Sequence, residues 1–196
     1  MTNELENLLS QSWDMILRGS LEPGSAFRNI TVAHAGNGYV NAYTVVLRAA
    51  ITAERKIVFY TDYRSPKVAQ IEQSNHLTIC SYDAGNKVQL ILKGEATIHY
   101  QDATAAKHWE AEGRKSRKSY MAQPGPSTLS NEPTDGLTYL KDKSFNEQDP
   151  DGYENFAAVA ITIEQLEHLK LSREGNRRAQ FVWQNDKGWQ GAWLIP

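Results

Sequence analysis

The chain lacks most of the equipment on which familiar chemistries depend. Its 196 residues include one cysteine, Cys80, which rules out an intrachain disulfide and suits a reducing cytosol. Cys80 lies in the apolar run HLTICSY, where an inert core thiol is expected rather than a nucleophile. The five histidines (34, 76, 99, 108 and 168) show neither HxH nor HExxH spacing, so no metal site is expected. No GxGxxG turn, P-loop or G-x-S-x-G elbow occurs. No apolar run is long enough to span a bilayer, and the acidic N-terminus does not resemble a signal peptide, so a cytoplasmic protein without membrane contact is expected. A formal charge of −2 gives no basis for binding nucleic acid. Obvious general bases are few, which fits a cofactor that carries the hard chemistry.

What is present describes an ordinary globular protein. Hydrophobic residues make up 40% and charged residues 22%, and the length is ample for a sizeable core. With no repeat and no clear linker, a single domain over 1–196 is expected. Five tryptophans and nine tyrosines suit a protein that stacks a flat ligand, although aromatics fill β cores as readily.

Residues 3–18 place Leu5, Leu8, Leu9, Trp13, Ile16 and Leu17 at helical spacing, so an amphipathic helix is expected within 1–20. Strands follow at 27–33, 39–51 and 55–61, with a turn at Gly36-Asn37-Gly38 and a short polar turn at 52–54. A helix over 66–74 precedes a strand at 76–82, the turn Asp83-Ala84-Gly85-Asn86 and a long strand at 87–100. That long strand places Gln89, Ile91 and Lys93 on one face, and Gly94 marks a bulge or kink. A charged helix is expected over 102–118, its basic cluster Arg114, Lys115, Arg117 and Lys118 reading as a solvated face. Residues 123–152 are rich in Pro, Gly, Asn and Asp, the composition of a long loop or lid with one short helix near 137–141. Strands resume at 155–163, 167–172, 178–184 and 189–195. A succession of short strands in hairpin order with few helices predicts an antiparallel barrel, mainly β with flanking helices.

The stretch that organises the rest is YVNAYTVVLRAAITAERKIVFYTDYRSPK, residues 39–67. Ser65 stands at an N-cap position, Pro66 at the first helical position and Lys67 in the first turn. The unpaired N–H groups and positive dipole end of such a helix favour an anion. Tyr60, Thr61, Arg64 and Arg48 add hydroxyls and cations, the donor set a phosphate requires. A plain hairpin followed by a solvated surface helix accounts for the same residues.

The order of motifs resembles the pyridoxamine 5′-phosphate oxidase family of FMN-binding split barrels, and within it the cyanobacterial-type branch of uncharacterised relatives. The likeness covers roughly residues 25–196. The family's R-x-V-L-L-K is matched by Tyr43-Thr44-Val45-Val46-Leu47-Arg48, and its F-Y-T-N-x-x-S-x-K by Phe59 to Lys67. Its R-Q-V-x-V-x-G becomes Val88 to Gly94, and its closing W-x-x-x-x-L-x-P runs from Trp189 to Pro196. The resemblance implies an FMN-binding split β-barrel and a homodimer with flavin at the interface. Its implied cofactor-binding residues are Tyr43, Val46, Arg48, Tyr60, Thr61, Ser65, Lys67, Gln89 and Arg178. Ser65 and Lys67 would hold the phosphate, Arg48 the phosphate or the substrate, and Gln89 the polar edge of the flavin ring. Arg178, or Arg177 beside it, would reach the other subunit's flavin. The implied activity is that of an FMN-dependent oxidoreductase acting on a small molecule, its catalytic residues unassigned. The alternatives are a non-catalytic flavin-binding or sensing protein and a phosphate-ligand binder without flavin.

The chain also departs from the family. Tyr43 and Pro66 stand where cations are common, and the segment Arg173 to Arg178 lacks the family's substrate histidine. Leu169 replaces the flavin-side tryptophan, and the substrate-binding residues of the middle helix do not align cleanly with Trp109–Ser119.

Overall fold

Alternating apolar residues drive this chain into strands whose inner faces meet in one core. The computed structural model describes residues 1–36, 38–140 and 152–196. Eight antiparallel strands are β1 (Asn29–Gly36), β2 (Tyr39–Ile51), β3 (Lys56–Asp62), β4 (His76–Asp83), β5 (Val88–Tyr100), β6 (Phe156–Lys170), β7 (Arg177–Gln184) and β8 (Gly188–Leu194). They hydrogen-bond in the order β3-β2-β1-β4-β5-β6-β7-β8, and β3 also pairs with β6. That extra pairing closes six strands into a barrel and leaves β7 and β8 as an extension. Among the described residues four α-helices flank it: α1 (Asn3–Leu21), α2 (Pro66–Gln73), α3 (Ala103–Ala111) and α4 (Arg114–Arg117).

β6 makes this possible because it serves two partners on one edge. Its first half, Phe156 to Thr162, pairs with β3, and Gln165 to Lys170 pair with β7. The sequence expectation of separate strands at 155–163 and 167–172 is therefore corrected to one strand of 15 residues. What resembled a break is a bulge: Lys93 faces Gln165 while its neighbour Gly94 faces Ile163, so Glu164 is the extra residue. Gly94 permits it, since a Cβ there would sit 2.1 Å from the Thr162 carbonyl oxygen.

The main core lies inside the barrel and under α1. Val32, Leu47, Phe59, Ile79, Leu90, Ile161 and Phe181 are fully or almost fully buried, joined by Leu5, Leu9, Trp13 and Ile16 from α1. A smaller cluster of Val58, Trp109, Tyr120 and Phe156 fixes α3 against the outside of β3 and β6.

The helix expected over 102–118 is interrupted. Asp102 caps α3 by accepting from the Ala105 N–H at 2.7 Å. At its other end the Arg117 guanidinium donates to the carbonyls of Trp109 (2.7 Å) and Glu112 (3.0 Å), so α4 folds back to cap α3. Arg117, read as solvated, thus closes a helix end and stacks over Trp109. Cys80 is likewise not a core residue. It lies half-buried on the outer face between Thr31 and Ile91, and burial raises its thiol pKa. The short helix expected near 137–141 is a single 3-10 turn at Thr138–Leu140. Asn37 of the expected 36–38 turn, and 141–151 of the long loop, lie outside the described residues.

Candidate functional site

The β2–β3 hairpin and the start of α2 converge on a groove of about 330 Å³. Val46, Arg48, Tyr60, Thr61, Ser65 and Lys67 all line it, so six of the nine residues singled out in the sequence meet at one place. Tyr43 lies beside it, its ring 4.7 Å beneath the Lys67 ammonium.

Three cations surround this groove, and they are not equivalent. Arg64 is engaged: it grips Asp62 through two side-chain bonds of 3.0 and 2.6 Å and donates to the Ala122 carbonyl at 2.9 Å. It therefore pins the 118–122 segment and offers little to a ligand. Arg48 stands 3.4 Å from the buried carboxylate of Glu112 and 5.3 Å from the centre of the Tyr60 ring. Lys67 makes no salt bridge among the described residues. Burial pushes its pKa below 10.5, with Asp62 pulling the other way. A desolvated ammonium without a carboxylate partner is the kind of group an anion stabilises.

The backbone adds to this. Ser65 is the N-cap residue of α2, yet its hydroxyl makes no capping bond. Pro66 has no N–H, the Val68 N–H bonds Ser65 at 2.9 Å, and the Lys67 N–H has no partner among the described residues. The groove thus presents one hydroxyl, one free N–H and one unpaired cation together at the positive end of a helix.

Two residues that the sequence reading missed support the lining residues Tyr60 and Arg48. His108 and Glu112 lie four residues apart on one side of α3 and its cap, and each holds one residue of the groove. His108 Nδ1 is 3.0 Å from the Tyr60 hydroxyl, while Glu112 faces Arg48. Burial lowers the His108 pKa, and burial first, then Glu112, raises that of Tyr60 to about 12. The imidazole and the phenol thus share a hydrogen bond beside the groove. Thr44, Val45, Asp62, Ser119, Tyr120 and Pro126 complete the lining. The i, i+4 spacing of His108 and Glu112 was visible in the sequence; their partners were not.

Gln89 and Arg178 lie elsewhere. They flank Leu169 on neighbouring strands, with Tyr82 next in the row, on the outer face of the sheet. β5 is three strands from β2 in the sheet order, a separation of about 14 Å at ordinary strand spacing. Arg178 donates to Glu167 at 2.5 and 3.2 Å, and Arg177 projects to the opposite face. Among the described residues no group of three His, Cys, Asp or Glu side chains is placed to hold a metal. No described helix is long and apolar enough to cross a membrane.

Residues 7–100 match the family model of the pyridoxamine 5′-phosphate oxidase FMN-binding domain. No curated protein sequence matches this one. Among solved structures, a pyridoxamine 5′-phosphate oxidase-related, FMN-binding protein from Nostoc punctiforme aligns over 100% of both chains with a TM-score of 0.75 and 19% identity. PhzG from Burkholderia lata, in complex with tetrahydrophenazine-1-carboxylic acid, aligns over 99% of this chain and 91% of its own, with a TM-score of 0.69 and 14% identity. A Clostridium acetobutylicum protein related to general stress protein 26 covers 88% and 94%, with a TM-score of 0.56 and 16% identity. At these identities the likeness is one of fold, and it agrees with the six-stranded split barrel.

Proposed function

We propose that this chain, whose residues 7–100 match the family model of the pyridoxamine 5′-phosphate oxidase FMN-binding domain, holds the FMN phosphate at the start of α2 and acts as an FMN-dependent oxidoreductase on a small molecule. The observation that carries this reading is the cradle of Ser65, the Lys67 N–H and the Lys67 ammonium. It is a donor set without an internal acceptor at a helix N-terminus. FMN, when bound, supplies a two-electron acceptor at its ring.

The chain's own residues supply orientation and proton handling. Lys67 offsets the phosphate charge, and Ser65 donates to a phosphate oxygen. Arg48, held by Glu112, presents its guanidinium toward the groove beside Tyr60. The Tyr60 hydroxyl and His108 Nδ1 hold a proton between them at the groove wall.

A groove of 330 Å³ is at the small end for a cofactor site. Gln89 and Arg178, expected at the flavin ring, lie about 14 Å along the sheet. Both facts support a homodimer in which the outer face of one protomer completes the groove of the other. Half-buried Cys80 and Ile91 and the exposed Tyr82 give that face the apolar character of an interface. A second reading, a flavin-binding or sensing protein without turnover, is favoured by the missing histidine in 173–178.

The test is gel filtration of the purified chain with excess FMN, followed at flavin wavelengths. Flavin co-eluting with a dimer is the expected result. A colourless protein that neither carries nor takes up FMN sinks the proposal. Flavin that is chemically reducible but accepts hydride from no amine or alcohol donor selects the second reading.

A further inference from the structure

A larger cavity, of about 410 Å³, lies on the side of β5, β6 and β7 opposite Gln89 and Arg178. One stripe of α1 roofs it, with Glu4, Leu8 and Met15 at helical spacing. Its floor and wall are His168, Lys170, Arg177 and Trp193, none of which serves the groove at α2.

The chemistry of this cavity is specified by its hydrogen bonds. The Ser12 hydroxyl donates its one proton to the Leu8 carbonyl at 2.7 Å. Its 3.0 Å contact with His168 therefore requires the proton on His168 Nδ1. Nε2 is then a bare acceptor; it has no hydrogen-bond partner among the described residues, and it is not sealed from the cavity. Burial, with Lys170 adding to it, lowers the imidazole pKa to about 4, so the ring stays neutral at physiological pH.

Nearby, Lys170 donates to the Asn86 carbonyl, which leaves two of its three N–H donors. Arg177 is paired with Glu4 at 2.5 Å and stacks over Trp193 at 4.7 Å. Two cations and one carboxylate leave one uncompensated positive charge. That balance matches a monoanion rather than a phosphate dianion. Leu8, Met15 and Trp193 offer apolar walls for a flat body.

We propose that this cavity binds a small planar monocarboxylate bearing a hydroxyl group, of the hydroxybenzoate class. Its carboxylate meets Lys170 and Arg177, its ring lies between α1 and Trp193, and its hydroxyl donates to His168 Nε2. The site is independent of the flavin groove and stands whether or not that groove takes FMN.

Calorimetric titration of the full chain at pH 7, with FMN present, tests it with 4-hydroxybenzoate, benzoate and phenol. The expected result is one saturable site per chain for 4-hydroxybenzoate, with benzoate and phenol each weaker by about tenfold or more, the cost of one charged or buried hydrogen bond. Lys170→Gln, on an exposed side chain, should weaken 4-hydroxybenzoate by roughly tenfold with FMN affinity unchanged. Absence of saturable binding overturns the proposal. So does equal affinity for the three probes, indifference to Lys170→Gln, or displacement by added FMN.

Discussion

The cradle at the start of α2 and the outer sheet face that carries Gln89 and Arg178 are built in opposite ways. The cradle is local: its residues come from one continuous stretch, 43–67, and a turn of helix fixes their geometry. The outer face is non-local, assembled from strands far apart in sequence, and it leaves Tyr82 open to solvent. The cradle has an unpaired cation, whereas Arg178 on the outer face is neutralised by Glu167. A site that demands an anion and a face that demands a cover are complementary halves, and in the homodimer proposed above a second copy of the chain would bring them together.

The comparison breaks most decisively at Lys67. Lys67→Met should weaken FMN binding on the order of 100-fold, the loss of a charge-assisted bond in a partly dry site. Flavin fluorescence titration measures it. The same change should raise the unfolding midpoint of the flavin-free chain, because burial disfavours the charged lysine there. An unchanged dissociation constant places the phosphate elsewhere.

Ile91→Lys attacks the other half. Placed at the middle of the outer face, the cation should convert dimer to monomer in sedimentation and weaken FMN by roughly tenfold, through loss of the partner's contacts. A dimer that persists moves the interface to another surface.

A smaller effect concerns pH. The folded-state pKa of Lys67 lies below 10.5, so the charged form is lost as pH rises through that lowered value. FMN affinity should decline in the alkaline range earlier than an ordinary lysine predicts, by at most about tenfold per pH unit. Lys67→Arg should flatten that decline, and dissociation constants from pH 7 to 10 decide it. Smallest of all, Lys187→Ala, in the exposed β7–β8 turn, should leave both affinity and dimer unchanged, and any effect of it removes the distinction between the regions.

The legibility of these two regions in the sequence follows from the same contrast. The hairpin 39–61, Ser65 and Pro66 were readable because capping and alternation are local properties. β6 was not, since its inward residues Ile161, Ile163, Leu166 and His168 change step at the Glu164 bulge, and a broken alternation reads as two strands. The α3 break depends on Arg117 reaching carbonyls up to eight residues back, and the His108–Tyr60 and Glu112–Arg48 pairings span long separations. No periodicity within a window encodes them. Gln89 and Arg178 came from family likeness, and their shared row across Leu169 became visible only with the strand register.

The double partnership of β6 also governs the order in which the molecule can be made. β3 is complete by residue 62, but the strand that seals its far edge begins at Phe156. During synthesis at roughly 5–20 residues per second, that edge stays bare for about 5–20 seconds while the intervening chain leaves the ribosome. An unpaired strand edge rich in Ile57, Val58 and Phe59 invites association with neighbouring nascent chains. The β3–β6 seam is thus where a long sequence separation leaves an apolar strand edge waiting for its partner.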